Sequence, residues 1–134
     1  MGTDIHLYFE KKNKDSGKWE EIEVDERLFP DQRYYELFSF LADVRYHADI
    51  KSGFEDRGLP SDSIAIEHLN DTYIHSQTYF YLDELKKAPW KEAELDESYF
   101  YIFCAYILPK LAYDYGIMSD EDKRNVRVIM GFDN

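Results

Sequence analysis

Cysteine is nearly absent from this chain, and the one that is there, Cys104, cannot form an internal disulfide. It lies in the apolar run 99–108, which predicts a buried, inert thiol rather than a nucleophile. Long apolar runs are missing too. No stretch of about 18 uninterrupted apolar residues exists, which excludes a transmembrane helix on the sequence pattern. A charged n-region followed by an apolar h-region is also lacking, so no secretory signal is expected. Met1-Gly2 has His6 where a myristoylation start needs Ser or Thr. Positive charge is scarce: 16 Lys and Arg stand against 28 Asp and Glu, a formal net charge of -12. That balance argues against binding a nucleic-acid backbone or an anionic membrane surface. It fits a cytoplasmic protein, a binder of basic partners, a mimic of nucleic-acid charge, or simply a charge that keeps the protein in solution.

What the chain has is aromatic surface. Twelve Tyr and nine Phe bring the aromatic share to 17% and the hydrophobic share to 44% of 134 residues. That is enough for a packed core in one domain, residues 1–134, without a disulfide or metal. Tyr couples large contact area to a polar tip, so some of these rings are candidates for an interface.

Periodicity supplies the elements. Residues 3–10 alternate, with Ile5, Leu7 and Phe9 on one face and Asp4, His6, Tyr8 and Glu10 on the other. With 18–24 they predict a hairpin through the turn-rich stretch 11–17. Residues 33–45 form the clearest amphipathic helix, through Tyr34, Leu37, Phe38, Leu41 and Val44, with Pro30 and Asp31 before its start. Residues 46–60 read as a long loop, and 61–63 as a cap for a short helix through His68. In the strand predicted over 72–80, Tyr73, His75, Gln77 and Tyr79 share a face, opposite Ile74, Ser76, Thr78 and Phe80. A short helix over 82–87 stops before Pro89. Residues 96–115 are apolar nearly all round and predict a buried helix, kinked by Pro109 and capped by Gly116. Residues 119–122 resemble a capping box. Residues 126–132 form a closing strand, expected beside the first at the sheet centre. The expected fold is α+β: a small, mostly antiparallel sheet of N-terminal hairpin and C-terminal strand, packed by two main helices.

The polar candidates follow. Asp4, His6 and Glu10 share a strand face, as acid–base pairs and metal ligands do; a solvated sheet face has the same pattern. His75, near Asp71, would join them if the strands met, and Asp4, His6 and His75 would then suit a metal. Arg45 and Arg57 have the forked donors that clamp phosphate or carboxylate, and each also has many structural carboxylate partners to choose from. Acidic clusters at 20–26, 92–97 and 120–122 are either solvated faces or a charge mimic. The sequence contains no P-loop, dinucleotide glycine fingerprint, G-x-S-x-G, H-E-x-x-H, EF-hand loop or cysteine-pair zinc motif.

The chain also resembles a family of small proteins encoded by bacteriophages, prophages and their hosts, which begin M-G-x-D-I-H and end V-R-x-x-x-G-F-D-N. The resemblance rests on Met1-Gly2, Asp4-Ile5-His6, Glu10 and Trp19. It continues through Arg33, Tyr35, Leu37-Phe38, Leu41-Ala42 and Val44-Arg45, then Arg57-Gly58-Leu59-Pro60, Asp62, His75-Ser76 and Glu84-Leu85. Residues 126–134 complete it. Members carry an H-S-H-S stretch whose second His is Gln77 here, which weakens a two-histidine metal centre. The resemblance implies a phage or mobile-element setting and carries no activity with it.

Three functions follow. The leading one is non-enzymatic: an accessory protein that binds a host or defence component through an acidic, Tyr-rich surface, as a counter-defence inhibitor or nucleic-acid mimic. The second is a protein that binds or hydrolyses a nucleotide or phosphate ligand. Its site would draw on Asp4, His6, Glu10, Arg45, Arg57, Asp71 and His75, with no cofactor. The third is a phage structural or assembly component.

Overall fold

In a computed structural model, residues 2–28, 33–45, 54, 57–114 and 124–134 are described. Four antiparallel strands form one sheet in the order β2-β1-β4-β3: β1 is Asp4–Lys12, β2 Trp19–Glu21, β3 His75–Tyr81 and β4 Val126–Asp133. The fold is α+β, and the first and last strands form the central pair, from Asp4 opposite Asp133 to Lys11 opposite Val126. The hairpin turn is held by Asn13, whose side-chain Oδ1 accepts from the amides of Asp15 and Ser16. Gly17 takes the left-handed conformation there (φ 71°).

The alternation of β1 sorts the two faces. Ile5, Leu7 and Phe9 lie in register with Phe132, Met130 and Val128, and this face carries the main core. Helix α1, Tyr35–Ala42, packs onto it through Leu37, Phe38, Phe40 and Leu41. It ends where Asp43 turns left-handed (φ 55°) and donates its N–H to Ser39. The ring of Phe38 meets that of Phe132 edge-on at 5.2 Å. On the opposite face, Ile129 packs with Ala65 and Leu69 under the segment that contains the short helix α2, Ile66–Leu69. There is little room here: a Cβ on Gly131 would collide with Cγ2 of Ile74.

Helix α3, Leu82–Lys87, has the expected bounds and ends before Pro89. The long apolar stretch departs from expectation. It is α4, Tyr99–Ile102, then a π turn over Phe103–Ile107, then α5, Leu108–Asp114. Pro109 has no N–H to give the Ala105 carbonyl, and the helix widens just before it. Nor is this helix buried all round. Phe100, Phe103, Cys104, Leu108 and Ala112 enter the core, while Tyr99, Ile102, Tyr106 and Tyr113 are exposed. Burial pushes the Cys104 thiol far up, as expected of an inert cysteine. Ser61 to Ser63 do not cap α2, whose N-cap is Ala65; Ser63 Oγ instead accepts from the Ala65 amide. The readings at Pro30-Asp31, most of the 46–60 loop, Gly116 and 119–122 lie outside the described residues. Among the described residues no helix is long and apolar enough to cross a membrane.

Candidate functional site

The polar row of β1 does not form one site. Glu10 is fully buried: its Oε1 accepts from Arg127 Nε at 2.8 Å, and its Oε2 from the Ser63 hydroxyl at 2.9 Å and the Ile64 amide at 3.0 Å. Arg127 stacks 3.6 Å above the Trp19 ring and reaches Asp62 at 3.0 Å. Trp19 Nε1 donates to the same Asp62 carboxylate. Burial pushes Asp62 up, but its bonds to Arg127 and Trp19 outweigh that and hold it below the usual carboxylate range. This ionic knot ties the 57–65 segment onto the sheet.

Asp4 pairs with Arg33 at the sheet end, and the guanidinium holds its carboxyl below the usual range. His6 Nε2 pairs with Asp133 on the neighbouring strand. Arg57 is clamped by Glu84 beside the Tyr79 and Phe80 rings, which lowers Glu84 and raises Arg57. Asp71 is exposed in the turn before β3, where its side chain accepts from the Tyr73 amide.

His75 is in register with Phe132, whereas His6 is in register with Gly131. Adjacent strand residues point to opposite faces, so the two histidines lie on opposite faces of the sheet with β4 between them. Among the described residues no group of three His, Cys, Asp or Glu could hold a metal. The face of His75 also differs from the expected one. Four residues of β3, His75 to Thr78, stand against three of β4, Phe132 to Met130. That bulge reverses the alternation, so His75 shares a face with Thr78 and Phe80 rather than with Tyr79. Ser76 sits in the bulge with φ 54°.

What gathers at this end of the sheet is a different set. A cavity of about 540 Å³ is lined by Thr3, Asp43, Val44, Arg45, His75, Ser76 and Asn134. A continuous hydrogen-bonded chain runs along it. Arg45 Nε donates to Thr3 Oγ1 at 2.6 Å, and Thr3 Oγ1 donates to Asn134 Oδ1 at 2.8 Å. Asn134 Oδ1 lies 3.3 Å from His75 Nε2, and His75 Nδ1 lies 3.0 Å from Ser76 Oγ. The polarity of the chain follows from donor counting. Buried Thr3 accepts from Arg45, and its hydroxyl donates to the Asn134 side-chain oxygen. That oxygen can only accept, so His75 carries its proton on Nε2. Its Nδ1 is then the acceptor for the Ser76 hydroxyl. The imidazole is further steadied by the Phe132 ring, 6.4 Å away, and Arg45 lies over the Tyr35 ring at 5.2 Å.

Among the described residues, three of the four non-glycine positions with positive φ, namely Asp43, Arg45 and Ser76, line this cavity. Each left-handed residue costs about 1–2 kcal/mol, and such strain concentrates where a side chain must be aimed. The C-cap turn accounts for Asp43 and the β-bulge for Ser76.

Of the seven candidates from the sequence, only Arg45 and His75 line the cavity. Thr3, Ser76 and Asn134 were not among them. The one signal in the sequence is the adjacency of His75 and Ser76. No family model, curated protein or solved structure matches this chain, so the site rests on its geometry.

Proposed function

We propose that the cavity at the end of the sheet receives a small anionic ligand, of the carboxylate or phosphate class, with Arg45 as its cation. The observation that carries this reading is the unbroken chain from Arg45 through Thr3, Asn134 and His75 to Ser76 along one accessible cavity. A forked guanidinium in a cavity also lined by hydroxyl, amide and imidazole groups suits such headgroups. A charge-assisted hydrogen bond contributes about 1.5–3 kcal/mol. Arg45→Gln is therefore expected to weaken binding of inorganic phosphate or benzoate by about 10- to 100-fold. An NMR titration checks this. Amide shifts confined to the neighbourhood of Arg45, Ser76 and Asn134 support the reading; shifts scattered over the surface, or none at millimolar anion, remove it.

A second reading has its own support: an accessory protein of phage or prophage origin that docks a basic host or defence protein. Tyr99, Ile102, Tyr106 and Tyr113 follow one another at spacings of three, four and seven, and stand 60%, 39%, 67% and 57% exposed. Exposed Asp96, Glu97 and Asp114 flank them. Tyr faces beside carboxylates suit Arg and Lys side chains. Replacing the three tyrosines by serine is expected to abolish retention of a basic host protein that the wild type holds. That retention should fall between about 50 and 200 mM salt. Retention unchanged by the triple substitution counts against this reading.

A further inference from the structure

We infer that Ser76 is a nucleophile and His75 its base, and that the cavity hydrolyses a carboxylic ester of a small anionic molecule; this rests on the anion-binding reading of the same cavity. The pair has the three parts that an activated hydroxyl requires. Ser76 Oγ is 3.0 Å from His75 Nδ1, the acceptor nitrogen by the donor count above. Asn134 holds the opposite nitrogen at 3.3 Å and fixes the tautomer, as a positioning residue. Both His75 and Ser76 line the cavity and are partly accessible.

The backbone supplies the second argument. Ser76 lies within the β-bulge and stands at φ 54°, the left-handed backbone of such a bulge, which a non-glycine residue adopts only at a cost. Without the bulge, residue 76 would face away from the Phe132 side of the sheet. With it, the hydroxyl meets the imidazole of its own neighbour.

Acyl transfer suits these groups better than phosphoryl transfer. An acyl transition state gathers charge on one oxygen, whereas a phosphoryl group spreads it over three and calls for several cations. Among the described lining residues there is one guanidinium, Arg45, and it shares the cavity with the Asp43 carboxylate.

The step balances as follows. Ser76 Oγ bonds to the carbonyl carbon as its proton passes to His75 Nδ1. The bond from carbon to the alcohol oxygen breaks, and His75 returns the proton to the leaving oxygen. Water then attacks the acyl-serine carbon and gives a proton to His75, and the carbon–Oγ bond breaks. Ser76 regains its proton from His75, and the carboxylic acid is released.

The test uses two acetyl esters, 4-acetoxybenzoate and its neutral counterpart 4-acetoxybenzamide, with intact-mass and peptide-mapped detection of acetylated protein. Wild type is expected to be acetylated at Ser76, about 10-fold faster from the anionic ester. Ser76→Ala and Ser76→Gly should both lose the adduct; glycine accepts φ 54° without strain, so its variant removes the hydroxyl and keeps the bulge. His75→Gln should slow acetylation by about 100-fold. Absence of a Ser76 adduct, an adduct mapped only to lysines, or a His75→Gln variant acetylated at the wild-type rate overturns the inference. These failures leave the anion site standing if the phosphate titration still moves the Arg45 region. Acetylation of Ser76 at equal rates from the two esters, insensitive to Arg45→Gln, supports the nucleophile and removes the anion site instead.

Discussion

Exchanging Glu10 for Gln is expected to destabilise the protein by about 3–5 kcal/mol, the range for removing one partner of a buried ion pair. The substitution barely changes volume, so the loss is electrostatic. The Arg127 side chain is 2% exposed and that of Glu10 1%. Glutamine would leave the buried Arg127 guanidinium with the largely exposed Asp62 carboxylate as its remaining anion, 3.0 Å away. Its amide nitrogen would also face a donor, because all three groups bonded to Glu10, namely Arg127 Nε, Ser63 Oγ and the Ile64 N–H, are donors. Arg127 has little in reserve: among the described residues its Nη2 is buried with no hydrogen-bond partner. The solvent-exposed pair Asp25–Arg27, 2.7 Å apart, is the control, and breaking it should leave stability close to that of the wild type. Denaturant titration of E10Q, R27Q and the double variant E10L/R127M separates the terms. The double variant should recover part of the loss, since apolar replacement of a whole buried pair is often neutral. An E10Q loss below about 1 kcal/mol would show that the knot is not what fastens residues 57–65 to β1 and β4.

That knot shows why the sequence was a better guide to elements than to contacts. The alternation of β1 named both faces correctly, and the pairing of the terminal strands followed from their positions. Alternation does not say whether a polar face meets water. The row Asp4, His6, Tyr8, Glu10 is instead divided among an exposed ion pair, the pairing of His6 with Asp133, a Tyr8–His68 stack 5.1 Å apart and a buried knot. Arg127 between Val126 and Val128 was the visible clue: one cation inside an apolar strand needs a buried anion. Counting Tyr as apolar hid the exposed side of residues 99–113. The bulge in β3 had no Gly or Pro to mark it, and a single extra residue there moved His75 to the other face. The hydrogen-bonded chain along the cavity joins residue 3 to residue 134 and residue 45 to residue 76. Contacts of that sequence separation arise only once the sheet and α1 are assembled.

Phe132 links that assembly to the cavity, and Phe132→Ala is expected to cost about 3–5 kcal/mol. The ring is wholly buried, meets Phe38 of α1 edge-on at 5.2 Å and lies under His75 at 6.4 Å. Its register partners are Ile5 on β1 and His75 on β3, so its side chain joins the helix layer, the central strand pair and the imidazole. Truncation leaves a cavity which a sheet paired on both sides of β4 cannot readily close. Phe132→Leu keeps most of the apolar volume and should cost less than about 1.5 kcal/mol. A domain of this size is held by about 5–15 kcal/mol, so the alanine variant remains mostly folded at low temperature and its site can be observed directly. There the two variants should separate a second time: the His75 ring protons and the Ser76 amide shift in Phe132→Ala and stay near their wild-type positions in Phe132→Leu. Equal shifts in both, or none in the alanine variant, would mean that Asn134 and Ser76 hold the imidazole without an aromatic floor. The hydrogen-bonded chain along the cavity would then be independent of the core beneath it.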